Sequence, residues 1–177
     1  MHIGLIGLGR LGLPTAIAFE RHGHTIHGYD VNPAVAPDVR PETLLFTKEA
    51  GPGNKGDLLD VAKLTQNIHF YRSVSEVCEK ADLVFVAVQT PHAPLFEGIT
   101  RVPEERADFN YDYLCSAVSS VSDAASRLDR PLIVVIISTV LPGTLRERVF
   151  PLLHPNIKLC YNPVSFVLDF LSPPSTF

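Results

Sequence analysis

The spacing of three glycines near the amino end most constrains what this chain can fold into. Residues Ile3 to Ile6 form a short apolar run, and Gly7, Gly9 and Gly12 follow it as G-x-G-x-x-G. An apolar segment of helical character, Leu13 to Phe19, comes next. The reading is a buried strand, a tight turn and a helix start. Gly7 permits the turn, Gly9 lets a pyrophosphate approach the backbone, and Gly12 lets the helix pack close to its strand. Free N–H groups and the positive end of the helix dipole would hold phosphates there. Gly7, Leu8, Gly9, Arg10 and Gly12 are therefore the candidate phosphate-binding turn.

Glycine-rich turns are common, so context has to decide. The motif follows a predicted strand and opens a predicted helix, as a dinucleotide site requires. An acidic residue should then end the next strand, about 20 residues on. Asp30 closes Thr25-Ile-His-Gly-Tyr-Asp30 at that distance. A carboxylate there accepts hydrogen bonds from the adenosine ribose and repels a 2′-phosphate, which selects NAD over NADP. The competing reading is a purely structural turn beside a solvated Asp.

Length and composition bound the rest. A chain of 177 residues with 46% hydrophobic content is expected to be one globular domain. A net charge of −4 gives no electrostatic footprint for nucleic acid. No apolar run has the length to span a bilayer, and no signal-peptide pattern precedes the first strand, so a cytoplasmic protein is expected. Cys78, Cys115 and Cys160 are odd in number and widely spaced, which reads as reduced thiols without a metal site.

Along the chain, residues 2–6 are the first strand, and the helix after the glycine turn runs to about His22 with Gly23 as its stop. Residues 25–30 are the second strand. Residues 33–56 are rich in proline and glycine, with at most a short helical piece at 34–39. Leu58 to Gln66 has helical spacing. Ile68 to Phe70 is a short strand, and Ser73 caps a helix to Lys80 with Glu76 as capping-box partner. Leu83–Val88 and Leu132–Ile137 are continuous apolar runs, the pattern of parallel strands covered on both faces. A helix from Tyr111 to about Leu128 lies between them, a helix to about Leu153 follows Gly143, and Ile157–Tyr161 is the last strand.

This alternation predicts an α/β fold of the Rossmann type: a doubly wound, mainly parallel six-stranded sheet with helices on both faces and strand order 3-2-1-4-5-6. Ligands bind such sheets at the carboxyl ends of the strands, where the winding reverses between the first and fourth. The fourth strand ends at Val88-Gln-Thr-Pro91 and the fifth at Ser138-Thr139. Thr90 and Thr139 should therefore both face the cofactor.

Three motifs now stand in order on the expected strand ends: G-L-G-R-L-G-L-P-T-A, V-Q-T-P and S-T-V-L-P-G-T. Together they resemble the NAD-binding domain of the UDP-glucose/GDP-mannose dehydrogenase family, over nearly the whole chain. The resemblance implies NAD contacts at Leu11, Asp30, Thr90 and Thr139, and a second role for Thr139 in orienting a catalytic water. The residue-level alternative for Thr139 is the N-cap of the following helix. Family members oxidise the C6 hydroxyl of a nucleotide sugar to a carboxylate with NAD, so a nucleotide sugar, a UDP-sugar first among them, is the implied partner. Family dimers form largely through central helices that follow this domain.

Departures from the family pattern matter as well. The family often has a Lys five residues after the ribose Asp, where this chain has Val35. Asn162-Pro163 resembles the start of the family's next block, but Val164 follows where Glu is usual, so 162–177 reads as a shortened start of the inter-domain segment. The family's later Lys, Asn and nucleophilic Cys have no counterpart here. Cys160, placed on a buried strand, and Cys78 and Cys115, placed on helices, read as inert thiols. His92 beside Thr90-Pro91 invites a general-base reading, with a plain loop residue as the favoured alternative. The charged run at residues 97–108 reads as a lid or a solvated loop.

Two functions follow. One is the NAD-binding domain (residues 1–177) of a nucleotide-sugar 6-dehydrogenase, inactive without its C-terminal half. The other is a stand-alone NAD-binding or sensing module without catalysis.

Overall fold

The computed structural model describes residues 1–9, 11–32, 67–93, 96, 104 and 107–163. The expected helical pieces at 34–39 and 58–66, the 97–108 lid apart from single positions, and the 164–177 tail lie outside them. Six strands make one parallel sheet: β1 (His2–Ile6), β2 (Thr25–Tyr29), β3 (Ile68–Phe70), β4 (Leu83–Val86), β5 (Leu132–Ile136) and β6 (Ile157–Tyr161). Their order is β3-β2-β1-β4-β5-β6, with every neighbouring pair parallel, as expected.

Helices cover both faces. Helix α1 (Gly12–Arg21) packs Leu13, Ala16 and Ile17 against Ile3, Leu5 and Ile26 on one face. Helices α2 (Val74–Lys80) and α3 (Asp112–Ala125) cover the other, where Val77, Leu114, Val118 and Val121 meet Ile6, Val84, Val86, Leu132 and Val134. The split follows from handedness. Crossovers running from β1 toward β2 and those running from β4 toward β5 travel in opposite directions, so right-handed connections put their helices on opposite faces.

Local chemistry sets the helix ends. Gly23, at φ +83°, stops α1: its N–H bonds the Glu20 carbonyl and the His24 N–H bonds the Phe19 carbonyl, a Schellman pair. Ser73 caps α2 by accepting from the Glu76 N–H at 3.3 Å. The Glu76 carboxylate reaches back one residue further than expected, to the Arg72 N–H at 3.1 Å. At the other end of α2, Arg130 Nη2 donates to the carbonyls of Cys78, Glu79 and Ala81. Asn156 does the same for α3, donating to the carbonyls of Ala125 and Leu128.

Three expectations need correction. The helix after Gly143 is a π-helical turn, Leu145–Val149, running into a 3₁₀ turn, Phe150–Leu152. Pro151 has no N–H to return to the Glu147 carbonyl, so an α-helical ladder cannot continue through it. Strand β5 is covered on both faces only in part: Val135 and Ile137 are buried, but Ile133 on the same face is 45% exposed. All described helices that follow β3, β4 and β5 sit on the opposite face. Cys160 likewise lies exposed on the edge strand β6 rather than buried, whereas Cys78 is buried and Cys115 half-buried, all three free thiols.

The cluster at the amino ends of β1 and β2 makes the fold sensitive to acid. His27 is buried, with Nε2 2.9 Å from His2 Nδ1 and Nδ1 3.1 Å from the Tyr71 hydroxyl. Burial, then the neighbouring His2, His69 and Lys80, push its pKa down to about 4, opposed by Asp82. The unfolded chain therefore takes up this proton near pH 6.5 and the folded chain only near 4. Stability is intact above pH 6.5, falls as the pH drops toward 4, and is then level, by roughly 3 kcal/mol in all. Urea denaturation across pH 4–7 measures this slope, and His27→Gln should flatten it. The Arg130 cap gives a second expectation: Arg130→Ala should cost about 1–3 kcal/mol in the same assay at neutral pH.

Candidate functional site

The site is built where β1 and β4 part company, at the carboxyl edge of the sheet. Gly7 leaves β1 at φ +94°, with its N–H on the Tyr29 carbonyl at 2.9 Å. A Cβ on Gly7 would lie 2.5 Å from the Ala87 carbonyl oxygen, and one on Gly12 would lie 1.8 Å from the Gly7 carbonyl oxygen. These two glycines bring helix and turn into direct backbone contact. Gly9 differs: a Cβ there meets nothing within 4 Å. It faces open space, as a glycine reserved for an approaching ligand should.

Helix α1 starts beneath this space with Leu11 as its N-cap. No side chain caps it and its first turn holds no acidic residue. The Leu13 N–H is taken by the Gly9 carbonyl at 3.2 Å and Pro14 has no N–H, so the helix offers an outside anion its dipole and the Gly12 amide. Leu8, by contrast, is 1% exposed and points into the core, so it contributes its backbone.

Asp30 turns toward this loop. Its Oδ2 accepts from the Leu8 N–H at 2.6 Å and its Oδ1 from the Asn32 N–H at 2.8 Å. A carboxylate carries about four acceptor positions, so ribose hydroxyls can add to these two bonds. The side chain is half-buried and bonded to the turn.

The other half of the site comes from β4 and β5. Thr90 Oγ1 donates to the Thr139 carbonyl at 2.8 Å, so the two threonines sit together. Ser138, buried, stitches the same strand ends: its hydroxyl accepts from the Val88 N–H at 3.0 Å and donates to the Val88 carbonyl at 2.7 Å. Thr139 is not the N-cap of the following helix; Thr144 holds that position, without a side-chain cap bond. His92 is an exposed loop residue edge-on to Phe109. Arg10 and Val35 lie outside the described residues.

Sequence reasoning passed over four residues here. Ser138 stood in the S-T pair, but only the second member was singled out. Asp108, Tyr111 and Tyr161 bond one another or the loop after β5. Tyr111 donates to Asp108 Oδ1 at 2.7 Å, and burial followed by that bond raises its pKa above the ordinary phenol value. An Asp three residues before a Tyr at a helix start was the available signal. No group of three or more metal-ligating side chains exists among the described residues.

The family model for the NAD binding domain of the UDP-glucose/GDP-mannose dehydrogenase family matches residues 1–171. The chain belongs to this family. A UDP-N-acetyl-D-mannosamine dehydrogenase from Pyrococcus horikoshii is 30% identical over 155 residues, which is 83% of this chain and 30% of that protein. Among solved structures, a ternary complex of GDP-mannose dehydrogenase from Pseudomonas aeruginosa superposes with a TM-score of 0.70 at 22% identity, over 92% of this chain and 36% of the other. A UDP-glucose dehydrogenase from Pyrobaculum islandicum gives 0.66 at 25% identity, over 92% and 35%. The chain thus spans about a third of the length of the relatives it matches. It is an NAD-binding domain of the UDP-glucose/GDP-mannose dehydrogenase family. No helix among its described residues is long and apolar enough to cross a membrane.

The three glycines should separate on substitution. Gly12→Ala forces a methyl into the Gly7 carbonyl and should cost several kcal/mol, on the order of 3, by thermal or urea unfolding. Gly9→Ala should leave unfolding unchanged yet lower NAD affinity about tenfold or more, as read by calorimetry.

Proposed function

We propose that residues 1–177 form a single domain, the cofactor half of a nucleotide-sugar 6-dehydrogenase, with 162–177 leading into the segment that joins the next domain. The observation that carries this reading is the convergence of two separate parts of the chain. Asp30 bonds the glycine turn on one side of the winding reversal, and Thr90 bonds Thr139 on the other. A dinucleotide long enough to span the seam meets both.

In this reading the turn Gly7, Leu8, Gly9, Arg10, Leu11 and Gly12 receives the pyrophosphate on the N-terminus of α1: the Gly7 and Leu8 N–H groups, bonded to Tyr29 and Asp30, shape the turn, and the backbone after them meets the phosphates. Asp30 accepts the hydroxyls of the adenosine ribose and excludes a 2′-phosphate by charge. Thr90 and Thr139 line the nicotinamide side. NAD, when bound, supplies the hydride acceptor for oxidation of a sugar C6 alcohol to a carboxylate. Thr139, exposed at the mouth of the site, orients a water for that chemistry. The groups that hold the nucleotide sugar and the Cys nucleophile belong to a second half. A UDP-sugar is the favoured substrate, dimerisation runs through helices that follow this domain, and the protein works in the cytoplasm.

Isothermal titration calorimetry tests the cofactor assignment. NAD should bind more tightly than NADP, and Asp30→Ala should weaken NAD by roughly 10- to 100-fold, the loss of one to two charge-assisted hydrogen bonds. Absence of heat with NAD, or equal affinity for NADP, contradicts the proposal. The chain alone should form no NADH from UDP-glucose. Turnover by the chain alone would place the catalytic groups within residues 1–177.

A further inference from the structure

We infer that Tyr111, oriented by Asp108, and Tyr161 are positioning residues that fix Thr139 against the nicotinamide half of the cofactor, an inference that rests on the cofactor reading proposed above. Past Ile137, whose N–H still bonds the Val86 carbonyl, the chain leaves the sheet. The amides that follow lose their strand partners and need others. Two tyrosine hydroxyls supply them. Tyr161, at the end of β6, accepts from the Val140 N–H at 3.2 Å. Tyr111, just before α3, accepts from the Leu141 N–H at 3.3 Å. These are the two residues directly after Thr139, and they are held from two different elements.

Asp108 sets the direction of the second bond. A carboxylate only accepts, so it takes the phenolic proton of Tyr111 at 2.7 Å and leaves the oxygen lone pairs for the loop. Asp108 is itself held by the Phe109 N–H at 2.7 Å. On the opposite side, Thr90 holds the Thr139 carbonyl. The segment is thus pinned from the ends of β4 and β6 and from the start of α3. The Tyr111 ring is 6% exposed and packs in the core, so its ring and its hydroxyl have separable roles.

The split between the two halves of the dinucleotide supplies the test. ADP reaches only the glycine turn and Asp30, whereas NAD also reaches Thr90 and Thr139. In calorimetric titrations of the whole chain, Tyr111→Phe should weaken NAD at least fivefold and leave ADP within twofold of the parent. Asp108→Asn should show the same split in smaller measure, and Tyr113→Phe, an exposed residue two positions on in α3, should change neither. Equal losses for NAD and ADP, or no loss for either, overturn the inference. Should Tyr111→Phe fail to fold, Tyr161→Phe carries the same expectation, and parental binding of both ligands by that variant overturns it. A parent chain that binds ADP but gains nothing from the nicotinamide half also overturns it. A parent chain that binds neither ligand overturns the cofactor site itself.

Discussion

The contact between Gly12 and the Gly7 carbonyl governs this domain. With 1.8 Å between that oxygen and a hypothetical Cβ, any other residue at position 12 would push α1 off the end of β1. The helix starts directly at the turn, with no capping side chain and with its Leu13 N–H on the Gly9 carbonyl. The same closeness places Leu8 where its N–H meets Asp30 on the neighbouring strand. One steric fact thus aligns a helix dipole, a set of amides and a carboxylate around a single opening.

The second constraint is topological. The chain runs outward from β1 through β2 to β3, returns across the sheet to β4, and runs outward again to β6. The loops after β1 and β4 therefore diverge to opposite faces and leave a crevice between them. The glycine turn forms one wall. The Thr90–Thr139 pair, locked by Ser138 across the ends of β4 and β5, forms the other. Beyond the Tyr161 hydroxyl at the end of β6, the arrangement needs nothing from the outer strands. The acid-sensitive histidine cluster and the exposed Cys160 accordingly lie outside the site.

Much of this was legible in the residues because the signals were local or periodic. The G-x-G-x-x-G spacing followed by Asp30 depends on sterics and charge over one βαβ unit, and it specifies turn, helix and carboxylate together. The strands β1, β3 and β6 fall where their apolar residues put them. What was not legible depends on partners distant in sequence. Whether Ile133 and Cys160 are covered depends on the face that crossover helices take, which an apolar run does not encode. The π turn at Leu145–Val149 reflects Pro151 acting on the register behind it. The tyrosine tethers join Asp108 and Tyr111 to Leu141, and Tyr161 to Val140, across 21 to 30 residues or more. Hydroxyls that look like ordinary core aromatics gain their role only when the loop arrives.

The most direct test of the account is an amide-resolved NMR titration of the chain with NAD. A single dinucleotide lying across the seam predicts that Leu8, Gly9, Gly12 and Asn32 shift on one side and Val88, Thr90, Thr139 and Val140 on the other, all with one dissociation constant. Shifts confined to one of these groups, two groups moving with different constants, or the largest changes at the outer strands β3 and β6 would contradict it.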